Sequence, residues 1–169
     1  MDPISHFTTL AGYGQWATGR LLDAVALLPE AEYRRDVGLF FHSIHGTLNH
    51  LLVTEHHLWF VRFSEGVSPK VALDTELEPD RATLDASLRS LAERWAPWLG
   101  TVPAARWAQN LDYTTMRGIP ASLPFAAMLT HVFNHGTHHR GQITAALTQM
   151  GQPCPELDLV YYLQSLGRP

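Results

Sequence analysis

His131-Val132-Phe133-Asn134-His135-Gly136-Thr137-His138-His139-Arg140-Gly141-Gln142 is the stretch on which the reading of this chain turns. Its apolar neighbours Phe125, Met128, Val132, Ile143 and Ala146 recur at the three- and four-residue spacing of one helical face. At ~100° per residue His139 falls near the centre of that face and His135 within ~40° of it, about 6 Å away along the axis. Two imidazoles one turn apart on an apolar stripe can share one ion at ~2 Å from each ring nitrogen. Without a shared partner, several ring nitrogens would have to be satisfied separately in a low-dielectric interior. His131 drifts to the edge of the stripe and His138 to its flank, where a solvated histidine is the ordinary outcome.

Working outward, the long helix is expected to begin at Ser122 as N-cap, with Pro124 in its first turn, and to close at Met150-Gly151. Before it, Leu111-Asp112-Tyr113-Thr114-Thr115-Met116 with the turn Arg117-Gly118 reads as a short extended pair. A first helix is capped by Asp2 with Pro3 behind it and runs to Pro29. A second, from His42-Ser43 to Gly66, is apolar on more than one face and belongs in the centre of a bundle. A third, capped by Asp80, carries the stripe Leu84, Leu88, Leu91, Trp95 and Trp98 and ends at Gly100, and a short helix follows Asp158 through Leu166. The expectation is an all-α fold, a four-helix bundle with a short C-terminal helix and a small extended pair before the fourth helix, formed as one domain over residues 1–169.

The second helix offers His42, His45, His50, His56 and His57 for a third ligand, and periodicity does not choose among them. Ten histidines in a chain with only 17% charged residues make histidine its distinctive resource. A net charge of −4 without any Lys or Arg run gives no footprint for a phosphate backbone, so nucleic acid is disfavoured as a partner. No leader and no stretch of ~18 apolar residues is seen, so no membrane is expected. The single cysteine, Cys154, forms no internal disulfide and suits a cytoplasmic setting. Gly136 stands where a zinc protease of the His-Glu-x-x-His kind needs its glutamate, which disfavours peptide hydrolysis. Gly12-x-Gly14-x-x-Ala17 matches a loose dinucleotide fingerprint, but inside a helical stripe with no preceding strand.

Leu48-Asn49-His50-Leu51-Leu52, Leu58-Trp59 and the late His135-x-x-x-His139-Arg140-Gly141-Gln142 together resemble the DinB/YfiT-like family of metalloenzymes over nearly the whole chain. The resemblance implies a DinB-type four-helix bundle, often dimeric, with one metal held by His50 of the second helix and by His135 and His139 of the fourth. Three imidazoles leave one open position on a tetrahedral ion, the catalytic arrangement. Zinc or nickel is expected, although such a donor set also accepts cobalt, copper or iron. Characterised members of the family it resembles include metal-dependent transferases and isomerases that use low-molecular-weight thiols, so the leading expectation is a metal-dependent thiol S-transferase or related detoxification enzyme acting on a small molecule. A metal-dependent hydrolase is the second reading and a non-catalytic, metal-braced protein the third. Gln142 either supports a ligand nitrogen or the metal's water, or is a polar rim residue. Arg140 is expected to pair with a carboxylate on a neighbouring helix, and Tyr161 and Tyr162 to line the site mouth or serve as packing.

Overall fold

The computed structural model describes residues 2–167; residue 1 and residues 168–169 of the expected domain lie outside the described residues. Helix α1 (Pro3–Ala26) starts as its sequence dictates, with Asp2 accepting from the Ser5 amide and proline at the first helical position. It ends three residues earlier than expected, and Pro29 starts a short helix α2 (Glu30–Arg34) that periodicity did not reveal. Ser43 caps α3 (Ile44–Leu51) through the Gly46 amide. The rod then continues as a nine-residue π-helical segment (Leu52–Phe60) and as α4 (Val61–Glu65), and Gly66 at φ +69° ends it.

The third helix is broken in two, α5 (Arg81–Ala92) and α6 (Trp95–Leu99). Pro97 explains the break: it has no N–H, and its ring meets the carbonyl four residues back, at Glu93, where the helix stops. After a 3-10 turn (Ala104–Ala108), strands β1 (Asn110–Thr114) and β2 (Pro120–Pro124) pair antiparallel, with Leu111 opposite Leu123. This is the expected extended pair, but its second strand takes up Ser122. Helix α7 (Phe125–Gln149) therefore begins at Phe125, with Pro124 at the cap position and no side-chain cap. Helix α8 (Leu159–Ser165) follows Asp158.

Four long helical rods packed together bury two separate apolar cores. One is aliphatic and joins Leu21, Leu22, Leu48, Leu52, Leu84, Leu88, Ile143 and Leu147. The other is largely aromatic and joins Phe7, Phe60, Phe63, Trp95, Phe125 and Leu129. Because α1 and α7 leave the aromatic core and enter the aliphatic one, while the 44–65 rod and α5–α6 do the reverse, the two pairs run in opposite directions. Between the cores each central rod carries polar residues: Thr18 on α1, Thr54, Glu55 and His56 on the π segment, and His135, His139 and Arg140 on α7. That polar layer is where the chemistry is concentrated. Among the described residues no helix is long and apolar enough to cross a membrane.

Candidate metal centre

His50 leaves the last turn of α3, and His135 and His139 leave α7 one turn apart, so both supporting rods are anchored by the apolar cores on either side. The structure brings the three together: one ring nitrogen from each lies within 4.8 Å of the others. His135 Nε2 is 3.3 Å from His50 Nε2 and 3.1 Å from His139 Nε2. Ligand nitrogens about 2.0–2.1 Å from a tetrahedral ion would stand about 3.3 Å apart.

The outer faces of the rings decide which nitrogens are available. His50 Nδ1 is 2.8 Å from the Leu73 carbonyl oxygen, which can only accept, so Nδ1 carries the proton and Nε2 turns its lone pair inward. His139 Nδ1 likewise donates to Gln142 Oε1 at 2.7 Å and leaves its Nε2 lone pair facing the cluster. His135 can carry a proton on only one nitrogen while neutral, and its buried Nδ1 has no hydrogen-bond partner. Two inward lone pairs thus face a ring that can satisfy one of them, a mismatch that a cation resolves.

Protonation does not resolve it, because burial lowers the pKa of all three rings. The His135 pKa is lowered to about 3, by burial first and then by its neighbours His139 and His50, and that of His139 to about 4, by burial and then by His50. His50 is lowered by burial, partly offset by its bond to Leu73. Neutral imidazole is the form that binds metal.

Two features that periodicity could not supply hold the cluster. The loop 67–78 is pinned by Asn49, which accepts from the Glu78 amide at 3.0 Å and donates to the Glu78 carbonyl at 3.1 Å; the same loop carries the Leu73 carbonyl to His50. Phe41 stacks on His50 with ring centroids 3.8 Å apart and lies 5.8 Å from His139, which shields the cluster from solvent on that side. A groove of about 500 Å³ lined by Arg34, Phe40, Phe41, His42, Leu73 and Glu76 adjoins it. Neither this groove nor a larger hollow of about 640 Å³ on the hairpin is lined by any of the three histidines.

The other histidines part company with them. His45 is buried but bonded to Tyr33 and Asn49, His42 is exposed beside Asp36, and His131 and His138 sit exposed on α7. His50 and His57, which share a side on a uniform α-helix, are separated here, one buried and one exposed, because the π segment between them changes the helical phase. Gln142 supports His139 as described, and Arg140 pairs with Glu55 on the neighbouring rod. Tyr162 does not reach the cluster. It packs on Tyr13 and Trp16 of α1, and a side chain at Gly12 would collide with its hydroxyl, so Gly12 is a helix-contact glycine and not part of a dinucleotide loop. Tyr161 is exposed. Among the described residues no carboxylate joins the three-nitrogen cluster.

Comparison with known proteins agrees with this architecture. The model of the DinB family matches residues 4–167. The chain is 30% identical over 162 residues to the protein DinB of Bacillus subtilis, covering 89% of this chain and 90% of that one. Its fold is similar to that of a DinB-like protein from Bacillus cereus, with a TM-score of 0.61 and 19% identity over 85% of this chain and 90% of the other. It is also similar to that of YfiT from Bacillus subtilis, with a TM-score of 0.65 and 17% identity over 89% of each chain. YfiT is described as a probable metal-dependent hydrolase with an unusual four-helix bundle topology.

Proposed function

The chain belongs to the DinB family, and from that premise we propose that His50, His135 and His139 hold one divalent metal ion and that the protein is a metal-dependent hydrolase of small substrates. One observation carries the metal: the inward Nε2 lone pairs of His50 and His139, fixed by Leu73 and Gln142, face a third ring that can satisfy only one of them. Such an ion, zinc or nickel on our reading, would supply Lewis acidity and lower the pKa of a bound water or thiol. The protein's own share is to keep three imidazoles neutral, to orient two of them through their outer nitrogens, and to exclude water with Phe41. The reaction class rests on the likeness to YfiT.

A second reading, thiol S-transfer, is favoured by the lack of any carboxylate in the cluster among the described residues. An ion held by imidazoles alone would favour the thiolate of a bound low-molecular-weight thiol near neutral pH without a carboxylate base. Metal-loaded protein assayed on ester and amide substrates, with and without added thiol, separates the two. Thiol-independent turnover that is lost in His50→Ala supports hydrolysis; turnover only with thiol supports transfer. A homodimer belongs to the same proposal, supported by the exposed Leu159, Val160, Tyr161 and Leu166 around α8, and is checked by sedimentation.

A further inference from the structure

The polar layer contains groups that the three-histidine cluster does not use. Arg140 is only 2% exposed, yet its guanidinium has no close carboxylate bond: Nη1 is 3.7 Å from Glu55 Oε1 and 3.4 Å from Thr18 Oγ1, and Nη2 is 3.4 Å from Thr137 Oγ1. The same group lies 5.6 Å from the centre of the Tyr13 ring. One buried cation therefore ties α1, the π segment and α7. Among the described residues Glu55 Oε1 and Arg140 Nε have no hydrogen-bond partner, so the pair is held together by charge and by enclosure more than by bond geometry.

Gly136 completes the arrangement. A Cβ built there would collide with Glu55 Oε1 and stand 2.9 Å from Arg140 Nη1, so a side chain at this position would displace the Glu55 carboxylate or the Arg140 guanidinium. Gly136 immediately follows His135, and Arg140 immediately follows His139. On the facing rod, Glu55 comes five residues after His50 and sits within the π segment, where the i→i−4 ladder is interrupted. Both sides of this contact thus lie next to the residues that bring the three imidazoles together.

A buried ion pair is weak evidence for stability, since its desolvation cost offsets its attraction and an apolar pair of similar volume often does as well. In some proteins a buried polar or ionic group instead fixes a single register between two rods. We propose that Glu55, Gly136 and Arg140 form an internal clamp that sets the rotation and axial position of α7 against the 44–65 rod, and so makes His50 converge with His135 and His139. Glu55 and Arg140 are then positioning residues of the metal centre, an inference that rests on the metal reading above.

The test compares wild type, Glu55→Gln, Gly136→Ala and the double variant Glu55→Gln/Arg140→Met by urea unfolding, by Zn²⁺ affinity in chelator competition and by the visible spectrum of the Co²⁺-loaded protein. Glu55→Gln leaves a buried cation unpaired and is expected to lose stability; the double variant removes both charges and is expected to recover it. Zn²⁺ affinity in the double variant and in Gly136→Ala is nevertheless expected to stay at least ~10-fold below wild type, with altered Co²⁺ bands. A double variant that binds Zn²⁺ within about twofold of wild type and keeps its Co²⁺ spectrum overturns the clamp while the metal centre stands. If wild type itself takes up no Zn²⁺, the metal reading falls, and the clamp is judged on the metal-free protein. Ring ¹⁵N shifts of His50, His135 and His139 that change in the double variant then support it, and unchanged shifts overturn it.

Discussion

The two apolar cores and the layer between them are built on opposite rules. In the cores, leucines, tryptophans and phenylalanines pack mainly through apolar surface, and such surfaces tolerate small slips and exchanges of side chain. In the layer, His50, Glu55, His56, His135, His139 and Arg140 are enclosed, several with a polar atom unmatched. Gathering the histidines of the cluster and the Glu55–Arg140 pair between the cores lets the ends anchor the rods that carry them. Substitutions in the cores should therefore cost stability and spare the ligand site, whereas substitutions in the layer can move both.

That separation can be attacked from either side. The largest effect expected is from Arg140→Met alone, which strands a carboxylate inside the layer and should cost about 3–5 kcal/mol of unfolding free energy in urea titration. Next, Leu129→Ala in the aromatic core or Leu147→Ala in the aliphatic one should cost about 2–5 kcal/mol through the cavity left behind, with metal binding retained. Loss of metal from either variant would join what the account keeps apart.

Acid should expose the layer without touching the cores. His56 is buried with its pKa lowered to about 3, by burial first, and His135 and His139 are lowered to about 3 and 4. The unfolded chain takes up these protons near pH 6.5 and the folded protein resists them. Stability is therefore full above pH 6.5 and lost progressively as pH falls toward 3, amounting to a few kcal/mol when followed by thermal unfolding of metal-free protein. An unchanged melting temperature between pH 7 and pH 4.5 would contradict it. The smallest effect is assigned to Gln142→Ala, which removes the acceptor for His139 Nδ1. Metal affinity should fall about 10–100-fold by chelator competition, with stability changing by no more than about 1 kcal/mol.

How much of this was legible follows the same division. The cores announced themselves, because Leu84, Leu88 and Trp95, or Phe125, Met128 and Val132, repeat at helical spacing and their burial follows. His135 and His139 were legible for the same reason, one turn apart on a stripe that the fold does bury. The third member was not. On the 44–65 rod a uniform period groups His50 with His57, and the π segment breaks that phase between them. Only the likeness to a family singled out His50. The supports of the cluster lay further from reach: Leu73 acts through a backbone carbonyl and Phe41 through a loop folded back on α3, and neither leaves a pattern in residue type. Ser122 misled because a capping residue before a proline also suits the end of a strand, and pairing with β1 prevailed.

Whether three neutral imidazoles with converging lone pairs hold a metal is read from the metal content of the protein. Protein without a histidine tag, loaded and desalted, is analysed by plasma mass spectrometry as wild type and as His50→Ala, His135→Ala and His139→Ala. The account predicts about one divalent ion per chain in wild type and loss of it in every variant, each variant remaining folded on its apolar cores. Wild type that takes up no metal, or variants that keep it, would contradict the account.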